Sequence, residues 1–225
     1  MAPLQFYQEM PRIGVIFDLD GTLIKFPEPW IREARREFLG WLVKTFPVDA
    51  KAIDELSIPQ LIELVANGDR SRYRYLREIA NSIYMKRELE AAARASVREG
   101  VVELLEELRR RGVSMSVATN NCRDAATISL ETAGIKEFFS CVVSRSDVEE
   151  MKPSPEMLLK AAYAANIPLS MGIHVGDSVV DVLAARSIGM MAVSVIGGVH
   201  SREKLLSSRP HLIIEEPLHL LKILT

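Results

Sequence analysis

Asp18 and Asp20, separated by one leucine, close the apolar run Gly14-Val15-Ile16-Phe17 and are followed by Gly21 and Thr22. An apolar run that ends in acid, acid, glycine and threonine reads as a buried strand that delivers side chains to the rim of a sheet. Side chains alternate along an extended chain, so Asp18 and Asp20 point the same way while Leu19 points elsewhere. Two carboxylates in one small volume raise one pKa unless a cation takes the other, so the pair calls for a metal ion, an acid/base group, or both. Gly21 lets the chain turn sharply after them. Taken alone, these residues fit a common strand ending in an Asp-Gly turn nearly as well.

Other polar residues fall at equivalent places. Thr119-Asn120-Asn121 follows the apolar stretch that begins at Val113, and Gly176-Asp177-Ser178, with Asp181 four residues after Asp177, follows Gly172 to Val175. Thr119 and Asn120 offer a hydroxyl and an amide suited to an anionic oxygen, and the helix expected next adds backbone N–H groups. Their plainer use is as a helix cap. Asp177 at a strand tip reads as a metal ligand, and Asp181 either joins it or serves as a first-turn acid favoured by the helix dipole. Lys152, in Met151-Lys152-Pro153-Ser154-Pro155, is the compact positive charge that such a cluster of carboxylates and a phosphate would need.

Positioning these groups requires a sheet whose strand ends meet. From Val101 the sequence alternates: a helix to Arg111, strand Val113 to Ala118, a helix from about Asp124 to Gly134, and strand Phe139 to Val143. A helix opened by Ser154-Pro155 follows, then strands Gly172 to Val175 and Met190 to Ile196, with a short sixth at His211 to Ile214. This pattern predicts an α/β fold with a Rossmann-like parallel sheet of five or six strands, whose ligands bind at the carboxyl ends. Residues 25–98 break the alternation. Trp30, Ala34, Phe38 and Trp41 share a helical face, Leu61 to Val65 form a short helix ended by Asn67-Gly68, and Leu76, Ile79 and Ile83 continue on a longer one. They read as a small α-helical domain inserted into a core made of residues 1–24 and 99–225. Trp30 and Trp41 are expected in its core. Arg70, Arg74 and Arg77 form a basic stripe that either reads an anionic substrate or is a solvated face balanced by Glu78 and Glu88.

The chain has 225 residues, 48% of them hydrophobic, enough for one full core and an added small domain. Its 28 Lys and Arg against 30 Asp and Glu give a net charge of -2, without a broad footprint for nucleic acid or anionic membrane. Two cysteines, Cys122 and Cys141, fit a reducing compartment. The first twelve residues lack a signal-peptide pattern and no apolar run spans a bilayer, so a cytosolic protein, monomer or homodimer, is expected.

Four of these segments, in order, resemble the motifs of the haloacid dehalogenase-like hydrolase superfamily: DLDGT (Asp18 to Thr22), ATNN (Ala118 to Asn121), MKPSPE (Met151 to Glu156) and VGDSVVD (Val175 to Asp181). The helical insertion after the first resembles the phosphoglycolate-phosphatase-like branch, whose cap is helical. The resemblance implies Asp18 as nucleophile, Asp20 as general acid and base, Thr119 and Asn120 as phosphate holders and Lys152 as charge stabiliser. It also implies Mg²⁺ on Asp18, Asp177 and the backbone carbonyl of Asp20, with Asp181 nearby, and a small phosphorylated metabolite as substrate. Alternatives are a phosphosugar mutase of the same family and a silent binding module. The chain departs from the family where Ile24-Lys25-Phe26 replaces a frequent valine-aspartate-serine run, and where Glu99-Gly100-Val101 replaces a frequent proline. The first departure leaves the substrate open. His174, His200 and Cys122 are read as structural groups.

Overall fold

The computed structural model describes residues 13–25, 28–49, 53 and 56–224. The strand before the paired acids, β1 (Gly14–Phe17), is fully buried and lies in the middle of the sheet. Six parallel strands follow the order β3-β2-β1-β4-β5-β6, with β2 Ser114–Thr119, β3 Val142–Ser144, β4 Gly172–Gly176, β5 Met191–Val195 and β6 Leu212–Ile214. Alternation along β1 feeds two cores. Val15 and Phe17 face a layer with Leu104, Leu105 and Leu108 of α4 (Val101–Arg110) and Leu130 of α5 (Arg123–Thr132), whereas Ile16 faces the other layer. There it meets Met157, Leu158 and Ala161 of α6 (Glu156–Ala164) and Val182 and Ala185 of α7 (Val179–Ser187). A short α8 (Arg202–Ser207) precedes β6.

Chain order reverses at β1, which pairs β2 on one side and β4 on the other. Such a switch point opens a crevice beyond the strand ends. The register makes those ends level: Phe17 lies opposite both Val117 and Val175. Asp18, Thr119 and Asp177 thus leave the sheet side by side.

Between β1 and α4 the described residues include the helices α1 (Glu28–Thr45), α2 (Ile58–Ala66) and α3 (Arg70–Ala92). Ser57 caps α2 in a capping box with Gln60, Asn67 ends it in the left-handed conformation, and Asp69 caps α3 by accepting from Ser71 and Arg72. Their shared core holds Ala34, Phe38, Leu42, Leu61, Ile62, Leu76 and Ala80. Trp41 packs there as expected, stacked on Phe38, but Trp30 does not. No helix among the described residues is long and apolar enough to cross a membrane.

Several boundaries differ from the sequence reading by a residue or more. The third strand was expected at Phe139 to Val143 and runs Val142–Ser144, because Lys136–Phe138 form a 3-10 turn and Phe139 lies edge-on to Phe17 before the strand begins. The helix after Ser154 starts one residue late, with Pro155 rather than Ser154 at its cap.

Candidate active site

Asp18 leaves β1 with its amide bonded to Val175 O at 2.8 Å, which fixes its direction. Its Oδ1 accepts from Lys152 Nζ at 2.7 Å. Lys152 is itself buried and gives its other two protons to Ala118 O at 2.8 Å and Asp181 Oδ1 at 2.6 Å, so the ammonium is fully satisfied. Asp181 also accepts from Ser178 N at 3.1 Å and Ser178 Oγ at 2.5 Å, and contacts His174 Nε2 at 3.0 Å. His174 Nδ1 lies 2.9 Å from Ile16 O, a structural placement for this histidine. His200 likewise holds the backbone N–H of Val179, and Cys122 packs against Ala92 and Ala125.

Asp177 approaches from the tip of β4. Val199 N donates to its Oδ2 at 2.5 Å and Thr22 Oγ1 to its Oδ1 at 3.4 Å. Gly21, at φ +86°, and Gly198 face this carboxylate so closely that a Cβ at either would collide with it. Arg98 spans the same ground, donating to the carbonyls of Gly21 and Ile196.

Asp18, Asp177 and Asp181 each offer an oxygen within 4.8 Å of the others. Three buried carboxylates served by one lysine leave negative charge uncompensated. Burial first, then the neighbouring carboxylates, push Asp177 well above the usual carboxylate range; burial and Asp181 raise Asp18 against the opposing pull of Lys152. Burial would raise Asp181 too, but Lys152 and His174 hold it below its ordinary value. Lys152, despite burial, stays above its own because Asp18 and Asp181 flank it. The donor set is all oxygen and suits a hard divalent cation of the magnesium type. Asp181 is the most heavily bonded member, with Oδ1 on Lys152 and His174 and Oδ2 on the N–H and hydroxyl of Ser178.

The Asp20 carboxylate is not in this cluster. Asn121 Nδ2 donates to its Oδ2 at 2.9 Å, and burial followed by repulsion from Asp18 raises its pKa to about 7. Thr119 is buried, and its Oγ1 accepts from Asn121 N at 3.1 Å, which leaves its own proton to give. The Asn120 side chain, expected beside the phosphate, spends both ends on the Lys152 backbone: Oδ1 accepts from its N–H at 3.0 Å and Nδ2 donates to its carbonyl at 3.2 Å. This local pairing fixes the lysine and occupies the amide.

A cleft of about 120 Å³ opens on the Asp20 side, walled by Lys25, Trp30, Glu88, Arg94 and Asn121 among others. The Arg94 guanidinium lies 5.6 Å from the centre of the Trp30 ring. Trp30, expected in the helical core, is therefore a wall of the cleft. The arginine stripe of α3 is not among the lining residues. Arg70 pairs with Glu150 at 2.8 Å, and Arg77 donates to the carbonyls of Arg145 (2.7 Å), Glu149 (2.8 Å) and Val148. Nor is Glu88 its counter-charge, since Glu88 is buried against Arg145. Arg70 and Arg77 fasten α3 to the loop after β3, and together with Tyr73, Arg74 and Glu149 they line a separate cleft.

Sequence reasoning missed Glu88, Arg94, Arg98, Arg145 and the hold of Asn121 on Asp20. The side-chain partners of Glu88, Arg98 and Arg145 lie 25 or more residues away, so no local spacing marks them.

Residues 15–195 match the family model of the haloacid dehalogenase-like hydrolases. A protein of Caldanaerobacter subterraneus, provisionally named pyrophosphatase PpaX, is 35% identical, with 94% of each chain covered. Pyrophosphatase PpaX of Bacillus thuringiensis is 29% identical over 94% of this chain and 95% of its own. The crystal structure of a hydrolase from Pseudomonas syringae superposes with a TM-score of 0.72 at 26% identity, covering 95% of this chain and 98% of that one.

Proposed function

The chain belongs to the haloacid dehalogenase-like hydrolases, and from that membership we propose a Mg²⁺-dependent phosphatase that forms an aspartyl-phosphate on Asp18, with residues 25–98 as its cap. The supporting observation is the unequal state of the two carboxylates after β1. Asp18 is bound by Lys152 at 2.7 Å, while Asp20 stands apart with a pKa of about 7. A carboxylate needs no helper base to attack, unlike a serine hydroxyl. An oxygen of Asp18 bonds to phosphorus as the bond to the leaving oxygen breaks, and Asp20 gives that oxygen its proton. Asp20, now ionised, takes a proton from the water that attacks the same phosphorus, which frees phosphate and restores Asp18. A group that must act first as acid and then as base works best with a pKa near the operating pH.

Thr119 has a proton to give a phosphoryl oxygen, and Lys152 reduces the negative charge that an incoming phosphate meets. Asp18, Asp177 and the carbonyl of Asp20 would hold Mg²⁺. When bound, the ion would neutralise charge between the carboxylates and the phosphoryl group.

The substrate class follows from the cleft. At about 120 Å³ it is smaller than the ~300–1,000 Å³ of ordinary ligand pockets. This size favours a leaving group of few atoms over a hexose that must turn around in place, as a mutase requires. Lys25 and Arg94 add positive charge, and Lys25 stands where relatives of this branch often carry aspartate. The reading is a small phosphorylated molecule with an anionic leaving group. Because relatives are named pyrophosphatases, pyrophosphate belongs beside small phosphomonoesters in the test. Purified protein should hydrolyse an aryl phosphate with Mg²⁺ and lose that activity in chelator. Undiminished turnover after exhaustive chelation would contradict the metal, and failure on aryl phosphate, pyrophosphate and a monoester panel with Mg²⁺ bound would contradict the enzyme.

A further inference from the structure

Outside the carboxylate cluster, the most buried charge pair among the described residues joins Glu88 of α3 to Arg145, the first residue after β3. Two guanidinium–carboxylate contacts of 2.8 Å connect side chains only 4% and 7% exposed. Such a pair is a poor way to glue two elements together, because desolvating both ions offsets their attraction and apolar side chains would serve as well.

Its other partners say what it holds. Arg145 Nε donates to Asn81 Oδ1 at 2.9 Å on α3, its Nη1 to Asn120 O at 2.6 Å, and its backbone N–H to Asn121 O at 3.0 Å. Glu88 Oε2 accepts from Cys122 N at 3.1 Å. Cys122 is the cap residue of α5 and makes no side-chain cap bond, and Glu88 supplies from the helical block the acceptor for its N–H that a glutamate or glutamine at the third helical position supplies in a capping box. Both members of the pair therefore grip residues 120–122. Asn120 in turn holds the Lys152 backbone through both ends of its amide. A continuous chain of hydrogen bonds runs from α3 through Arg145 and Asn120 to Lys152, whose ammonium rests on Asp18.

We propose that Glu88 and Arg145 are positioning residues that make the alignment of the Thr119–Asn121 loop and of Lys152 conditional on docking of the helical cap. When the cap lifts, Arg145 loses the Asn81 and Glu88 side chains that hold its guanidinium over the Asn120 carbonyl, the Cys122 amide keeps only Asn121 Oδ1 at 2.9 Å, and the loop relaxes. When it docks, the same two residues set the loop and close the pair away from solvent. Chemistry is confined to the docked state, which closes the site from bulk solvent and keeps the water that reacts. The kinetic consequence rests on the phosphatase reading; the structural one does not.

The test compares Arg145→Met, Glu88→Leu and the double variant in melting temperature, aryl phosphate kinetics with Mg²⁺, and amide hydrogen exchange. Each single variant strands a buried charge and should melt lower, with kcat reduced about 10- to 100-fold. The double variant should regain most of its melting temperature yet keep kcat at least about tenfold low, with KM changed much less, because apolar packing restores the cap contact but not the loop. Arg145→Lys, which keeps the charge without the planar fork, should recover kcat only in part. Amides of residues 120–122 and 152 should exchange faster in the double variant. Wild-type kcat together with wild-type exchange in that variant would overturn the proposal. Should the wild type hydrolyse no phosphoester at all, the phosphatase reading falls and exchange decides alone: unchanged protection in the double variant overturns the positioning role, and faster exchange sustains it.

Discussion

The two sides of Asp18 are built differently. Toward the sheet, Lys152, Asp177, Asp181 and His174 are all buried, and hydrogen bonds join Lys152, Asp181 and His174 to Asp18 in one network. Toward the helical block, Lys25 and Arg94 are exposed, Trp30 is half-buried, and the cleft between them is small and open. On the proposed reading the first side, whose place is set by parallel register, carries the reaction, and the second, whose place depends on how the helices dock, selects what reacts. Substitutions on the two sides should therefore fail in different ways.

The largest effect is expected at Lys152. Lys152→Met leaves Asp18 and Asp181 buried without their shared cation, so turnover should be lost and melting should drop, more in chelator than with Mg²⁺. A variant that keeps wild-type kcat would remove Lys152 from the machinery.

Asp20→Asn comes next. It should lower kcat by about 10² to 10⁴ on an alkyl phosphate, whose leaving oxygen needs a proton, and less on an aryl phosphate. Equal losses on both would refute the general-acid role. The same change should stabilise the metal-free protein. Asp20 has a folded pKa of about 7, above the ordinary 3.8. Between those values the folded state binds more protons than the unfolded one, so stability falls as pH rises through this window. In chelator, the melting temperature of Asp20→Asn minus that of the wild type should therefore grow from about pH 4 to about pH 7 and then level off. A flat difference would mean that Asp20 ionises normally.

The smallest effect belongs to the cleft. Arg94→Gln should raise KM several-fold for a substrate with an anionic leaving group and leave an aryl phosphate almost unchanged. An unchanged KM ratio would take the cleft cations out of selection.

The same contrast explains what the sequence reveals. The sheet side is legible because its grammar is local: an apolar run followed by Asp18 and Asp20, or by Thr119, or by Gly176 and Asp177, marks a strand tip, and parallel connections bring the tips together. The order of the helices before α4 is legible from spacing and from caps such as Asn67. What Trp30 and Arg77 touch is not. Trp30 sits at helical spacing with Ala34 and Phe38, yet it faces the cleft. Arg77 belongs to a regular stripe, yet it bonds backbone carbonyls about seventy residues away in sequence. The pairing of Glu88 with Arg145 depends on docking, which no periodicity encodes. The pairing of the Asn120 amide with the Lys152 backbone is likewise unmarked by spacing.

The central claim is that Asp18 takes the phosphoryl group. Rapid quench of enzyme with an aryl phosphate and Mg²⁺, followed by peptide mass analysis, tests it most directly. The account predicts a transient phosphate on the peptide that carries Asp18, formed before product phosphate and absent in Asp18→Asn, which should not turn over. Full single turnover with no phosphorylated Asp18 at any time, or turnover retained in Asp18→Asn, would contradict it.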